Sequence, residues 1–161
     1  MLTEKLRGKE IKTGQAIAKA AEDILEGWLL AIDPGSRSAG YALFYQGRLI
    51  ESDEISGGSG SIANRLDLLR IEIEQTLAKY GTEKVAAAAV EKVRSSTGHI
   101  YLTWAAGVLV SASKADKVFE VTTTMWKKNV EKGKYLKSDK NDAEEIGKFV
   151  VKLAEEANEH T

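Results

Sequence analysis

Four carboxylates, Asp33, Glu91, Asp139 and Asp142, carry the chemical interest of this 161-residue chain. Asp33 ends the apolar run Leu29-Leu30-Ala31-Ile32 and precedes Pro34-Gly35, where a strand buried on both faces gives way to a turn. Glu91 closes a second apolar run, from Lys84 to Val90. Asp139 and Asp142 open a helix whose apolar stripe, Ile146, Phe149 or Val150, and Leu153, extends backward through both of them. Glu144 falls off that stripe with Lys148 and Val151, and Glu145 lies at its margin. Acids facing a sheet are costly unless lysines or a cation neutralise them. Each acid also has a plainer reading. Asp-Pro-Gly is ordinary turn chemistry, Glu91 is a solvated strand end, Asp139 caps its helix and Asp142 favours the helix dipole.

Composition narrows the chemistry. The chain has no cysteine and two histidines, His99 and His160, so disulfides and thiolate metal sites are excluded and any metal is bound through oxygen. A hydrophobic content of 43% with 29% charged residues describes one ordinary domain with a real core. The net charge of −1 argues against a uniformly basic coat, so nucleic-acid binding has to come from local clusters. One cluster runs from Lys127 to Lys140: Lys127, Lys128, Lys132, Lys134, Lys137 and Lys140, with Trp126 and Tyr135 interleaved. Arg37, Lys92 and Arg94 stand beside the first two acids. These cations read as a phosphate grip, or more plainly as a solvated loop. No apolar run approaches the roughly 18 residues of a membrane span, and Lys5, Arg7, Lys9 and Lys12 interrupt the N-terminus where a signal core belongs. The expected location is cytoplasmic, with no membrane partner.

The elements that must position these groups follow from periodicity. Thr13 is the expected N-cap of a helix with Ile17, Ala20, Ala21, Ile24 and Leu25 on one stripe, ending at Gly27; residues 1–27 read as an N-terminal helical extension and 28–158 as the main domain. Two further strands, Ala39 to Tyr45 and Arg48 to Glu54, meet at a Gln46-Gly47 hairpin. A helix follows with Ile62, Leu66, Leu69, Ile73 and Leu77 at spacings of three and four, stopped by Gly81. The Lys84 to Val90 run fits a buried parallel strand. A helix from Ile100 to Lys114, a strand from Val118 to Val121 and a last helix from Asp139 to about Ala157 complete the order βββαβαβα. Tyr101 and Trp104 read as core or dimer contacts, and His99 as a turn or cap residue.

Ile32-Asp33-Pro34-Gly35-Ser36-Arg37, followed by Gly40-Tyr41 and another strand, resembles the first motif of the RuvC family of Holliday junction resolvases. The resemblance extends through Val90-Glu91-Lys92-Val93 to Asp139-Lys140-Asn141-Asp142-Ala143-Glu144-Glu145-Ile146, covering residues 29 to about 150. The family's usual Asp-Ala-Leu ending is here Asp142-Ala143-Glu144, and Arg94 stands where related bacterial members carry a stacking aromatic. The resemblance implies an α/β fold, an RNase H-like five-stranded mixed sheet flanked by helices, here with an extra N-terminal helix. It implies that Asp33, Glu91, Asp139 and Asp142 are catalytic acids that bind two Mg²⁺ or Mn²⁺ ions, which activate water and stabilise the leaving 3′ oxygen. The expected activity is metal-dependent cleavage of four-way DNA junctions by a homodimer, with DNA contacts from Arg37, Lys92, Arg94, Lys127, Lys128, Lys132, Lys134, Tyr135, Lys137 and Lys140. The stripe Ile100, Trp104, Val108 and Ser111 suits a helix that meets its copy. The alternatives are an RNase H-fold nuclease acting on RNA–DNA hybrids, flaps or other branched DNA, and a catalytically silent junction-binding protein. An actin-like ATPase would need two duplicated domains, for which the chain is too short.

Overall fold

The computed structural model describes residues 2–93, 99–130 and 135–159. After a 3-10 turn at Leu2–Lys5, the described elements are α1 (Lys9–Lys19), α2 (Ala21–Glu26), β1 (Trp28–Asp33), β2 (Ser38–Tyr45), β3 (Arg48–Ser56) and α3 (Ile62–Lys79). They continue with β4 (Ala87–Glu91), α4 (Ile100–Ser113), β5 (Lys117–Val121), α5 (Thr123–Lys127) and α6 (Asp139–Glu159).

The strands form one sheet in the order β3-β2-β1-β4-β5. β1, β2 and β3 pair antiparallel, whereas β1 with β4 and β4 with β5 pair parallel. Alternation along β1 divides the core. Leu29 and Ala31 face a cluster that contains α1, α2 and α6, through residues such as Ile17, Ile24, Ile146 and Leu153. Leu30 and Ile32 face the opposite cluster, built with Leu69 and Ile73 of α3 and Ala105 and Leu109 of α4. A central strand covered on both faces reads as a continuous apolar run, which is why β1 and β4 stand out in the sequence. Ser61 caps α3 by accepting from the Asn64 backbone N–H, and the predicted stripe is buried from Leu69 onward.

The N-terminus departs from the expected single helix. Thr13 does not start it: α1 begins at Lys9 after Gly8, whose lack of a capping side chain hides the boundary, and Glu10 accepts instead from the Arg7 N–H at 3.1 Å. The helix then breaks at Ala20 (φ −95°, ψ 8°), which carries none of the Gly or Pro signals of a stop. Both pieces keep their apolar residues inward, and Leu2 and Leu6 join the same cluster, so residues 2–26 share the core of the sheet. A second departure is α5, too short for its apolar residues to complete a periodic pattern. A third is Val151, expected away from the core and buried at 6% exposure, because α6 is covered by the sheet on one side and by α2 on another.

α6 lies against β2 so closely that two positions must be glycine. A β-carbon at Gly40 would overlap the backbone carbonyl of Asp139, and one at Gly147 would overlap the Phe44 ring. The first clash is with backbone and has no rotamer to relieve it. Gly40→Ala is therefore expected to lower the unfolding free energy by about 1–3 kcal/mol, since overpacking moves helix and sheet apart. Urea unfolding checks this, and a wild-type midpoint would show that α6 does not bear on β2 here.

Candidate active site

Parallel register brings the first two acids together. Ile32 pairs with Val90, so Asp33 and Glu91, the next residue on each strand, leave the sheet side by side. By the two-residue alternation, Asp33 shares a face with Leu29 and Ala31, and Glu91 with Ala87 and Ala89, the face that α6 covers. α6 presents Asp142 in line with Ile146, with Asp139 one turn earlier. All four carboxylates line one open cavity of about 350 Å³.

Two of the plainer readings are displaced by the local geometry. Ser138, not Asp139, caps α6, with its Oγ accepting from the Asn141 backbone N–H at 3.0 Å. Asp139 is left to accept from Ser38 Oγ at 2.8 Å. Glu91 is held as well, because Thr123 Oγ1 donates to its Oε1 at 2.6 Å. Ser38 and Thr123 escaped the sequence reading, since hydroxyl contacts spanning 101 and 32 residues leave no periodic trace.

Burial and mutual repulsion dominate the electrostatics. Asp33 is 9% exposed and Asp142 8%. Asp33 is pushed well above the carboxylate range by burial and then by Glu91, close enough to share a proton, with Asp142 and Asp139 adding to the shift. Asp142 rises to about 6, by burial and by the charge of Glu91, against the opposing effects of a hydrogen bond to Asp33 and of Lys127. Asp142 Oδ1 is buried with no hydrogen-bond partner.

The donor set fits a hard divalent cation: four carboxylates, no thiol, and an orphaned carboxylate oxygen in the cleft. Among the described residues no group of three His, Cys, Asp or Glu side chains stands placed to hold a metal ion; Glu91 and Asp139 accept hydrogen bonds from Thr123 and Ser38.

The proposed grip separates into parts. Lys92, Lys127, Lys137 and Tyr135 line the same cavity as the acids. Arg37, Lys128 and Lys140 do not line it; all three are exposed, and Lys128 acts instead on Glu10. Arg94, Lys132 and Lys134 lie outside the described residues. Trp126 is 2% exposed and packs edge-on to Tyr135 at 6.2 Å, as part of the core. His99 precedes α4 as expected, yet it too lines the cleft. Tyr101 and Trp104 are 46% and 44% exposed, which removes them from the core.

A mixed sheet ordered β3-β2-β1-β4-β5, with acids gathered from β1, β4 and the last helix, defines an RNase H-like α/β protein. Residues 29–160 match the family model described as crossover junction endodeoxyribonuclease RuvC. The chain belongs to the RuvC family of Holliday junction resolvases. Among solved structures it is similar to T. thermophilus RuvC in complex with Holliday junction substrate, at 18% identity and a TM-score of 0.60, covering 76% of this chain and 90% of that one. A second Thermus thermophilus RuvC structure matches at 16% identity and a TM-score of 0.56, covering 81% and 96%. At such identities the likeness establishes the fold. No curated protein matches.

The raised carboxylates predict how stability follows pH. With folded-state values above the usual 3.8, Asp33 and Asp142 hold protons that the unfolded chain releases, so stability in chelator falls as pH rises from about 4 through 6 and beyond. Asp33→Asn removes the larger share and is expected to stabilise the protein at pH 8 by on the order of 2 kcal/mol, discounted for partial solvation, with the gain fading toward pH 4. Thermal unfolding against pH measures it; equal losses for variant and wild type at pH 8 would refute the assigned repulsion.

Proposed function

We propose that this chain is a divalent-ion-dependent endonuclease that resolves four-way DNA junctions by paired cuts. The observation that carries the reading is the convergence of Asp33, Glu91, Asp139 and Asp142 in one cleft walled by Lys92, Lys127 and Lys137. Family membership supports it, as does the likeness in fold to a RuvC in complex with Holliday junction substrate. We assign residues 28–158 to the nuclease domain and 1–27 to a helical extension of it. No described helix is long and apolar enough to cross a membrane, in keeping with action on DNA in the cytoplasm.

In this reading the four carboxylates would hold two Mg²⁺ or Mn²⁺ ions, which when bound would supply the charge to activate water and to stabilise the leaving 3′ oxygen of a phosphodiester. Asp33 and Asp142, raised by burial and by their neighbours, would exchange the protons they hold for the charge of the ions. Thr123 and Ser38 hold the other two carboxylates in orientation. Lys92, Lys127 and Lys137 draw the phosphate backbone to the cleft. Arg37, Lys128, Lys140, Arg94, Lys132 and Lys134 remain proposed contacts for the longer arms of a branched substrate. The face of α4 bearing Ile100 and Trp104, exposed at 49% and 44%, is the proposed dimer surface, with Val108 half-buried one turn on.

A cleavage panel at equal salt, comprising a synthetic four-way junction, a flap, a duplex and an RNA–DNA hybrid with Mg²⁺, tests the reading. The junction is expected to be cut fastest, at two symmetric positions. Preference for a hybrid or flap would assign another substrate, and binding without cleavage in either ion would leave a junction-binding protein. Asp142→Asn is expected to lower junction cleavage by orders of magnitude while binding survives; Glu144→Gln, which keeps an acceptor for Ser52 Oγ, should change little. Changing Lys92, Lys127 and Lys137 together to Ala should reduce the salt slope of binding by up to about three, one for each phosphate no longer gripped. Trp104→Asp is expected to give a folded monomer that nicks without pairing its cuts, read by sedimentation and by product symmetry; a variant that stays dimeric moves the interface off this face.

A further inference from the structure

Three consecutive threonines divide their hydroxyls between two parts of the molecule. Thr122 Oγ1 and Thr124 Oγ1 donate to the same oxygen, Glu10 Oε2 on α1, at 2.8 and 2.7 Å. Thr123, between them, turns the other way and donates to Glu91 Oε1 at the rim of the acidic cleft. Thr122 immediately precedes α5, where a threonine ordinarily caps; its side chain makes no capping bond and is committed to Glu10. The segment begins where Glu91 leaves the sheet, because the Lys92 N–H bonds to the Val121 carbonyl at 2.9 Å.

Glu10 is itself held. Its other oxygen accepts from the Arg7 N–H, and α1 is seated on α6 and β5 through the fully buried Ile17. Burial raises its carboxyl, but the hydroxyls of Thr124 and Thr122, the Arg7 N–H and Lys128 together bring it below the ordinary value, so Glu10 is an ionised acceptor. Glu10 lies outside residues 29–160, the part that matches the family model. Of the four acids lining the cleft Glu91 has the longest side chain, with three rotatable bonds, and it stands beside Asp33 at the ends of paired strands. Binding one of its oxygens to Thr123 leaves the other for the cleft. α5 also carries Trp126 and Lys127 to the same wall.

We propose that Glu10 is a positioning residue for this site: it clamps Thr122 and Thr124 so that Thr123 sets the Glu91 carboxylate, and the N-terminal helix thereby becomes part of the active-site scaffold. The proposal rests on the reading of Glu91 as an active-site acid. Partners that orient a ligand in this way are worth about 10- to 100-fold in activity or ion affinity.

The test compares wild type with Glu10→Ala, Glu10→Gln, Thr123→Val, the Thr122→Val/Thr124→Val pair and the Glu10→Ala/Thr123→Val pair. Single-turnover cleavage of a four-way junction in Mg²⁺, junction affinity in chelator and thermal midpoints are measured for each. Glu10→Ala is expected to slow cleavage about 10-fold with junction affinity unchanged. The Thr122/Thr124 pair should reproduce that loss, and Glu10→Gln should recover part of it, since the amide oxygen still accepts. Because Glu10 acts through Thr123, adding Glu10→Ala to Thr123→Val should cost little more. Full, multiplicative losses in both backgrounds, or losses that follow the thermal midpoint across the set, would overturn the proposal. Manganese affinity, measured by calorimetry on the same proteins, keeps the two readings apart. If wild type fails to cut junctions, the proposed function falls, while an about 10-fold weaker ion affinity in Glu10→Ala still supports the clamp and an unchanged affinity sinks it.

Discussion

Burial and neighbouring acids hold the Asp33 carboxyl well above the ordinary carboxylate range. Asp33 is 9% exposed, and Glu91, Asp142 and Asp139 beside it raise its carboxyl beyond what burial alone does. A site of this kind is unstable by construction, and most of what surrounds it serves to hold it together. The sheet commits two acids by register, since Ile32 opposite Val90 leaves Asp33 and Glu91 nowhere to go but side by side. The last helix commits the other two, through the close contact at Gly40 and Gly147 that brings its N-terminus down onto β2. Charge repulsion is thus set against a rigid hydrophobic scaffold, and partial protonation is the compromise the isolated protein reaches.

Relief of that repulsion links structure to chemistry. Lys127 already opposes the shift of Asp142, but Lys92, Lys127 and Lys137 are three exposed or half-exposed chains on the wall, and none is ion-paired with an acid of the cleft at salt-bridge distance among the described residues. Apart from the partial effect of Lys127 on Asp142 they leave the central carboxylates without an ion pair, and in the proposed reading they are open to phosphate. Hydroxyls take the complementary part: Ser38 and Thr123 bind the outer acids without neutralising them. Such donors orient a carboxylate while preserving its charge.

How much of this was legible depended on whether the signal was local. β1 and β4 announce themselves as apolar runs ending on acids, and α6 carries its stripe back through Asp142, so the site could be located along the chain before its geometry was known. Family resemblance then supplied the adjacency of β1 and β4, which periodicity by itself does not encode. What stayed hidden had no local signature. Gly8 offers no capping side chain and Ala20 no break signal, so one expected N-terminal helix proved to be two. Lysine spacing says nothing about direction, and of the described lysines in this run Lys127 and Lys137 line the cleft whereas Lys128 and Lys140 are exposed away from it. Trp126 looked like a partner of those lysines, yet it is enclosed by the core beneath α6.

Proton release on ion binding tests the central claim most directly. Titrating the protein with Mn²⁺ at pH 7, in buffers of different ionisation enthalpy, separates the protons expelled from the heat of binding itself. If Asp33 is held protonated by burial and its neighbours, binding must expel about one proton per site, and the release must disappear in Asp33→Asn. Ion binding with no net proton release in the wild-type protein, or the same release in the variant, would contradict the account.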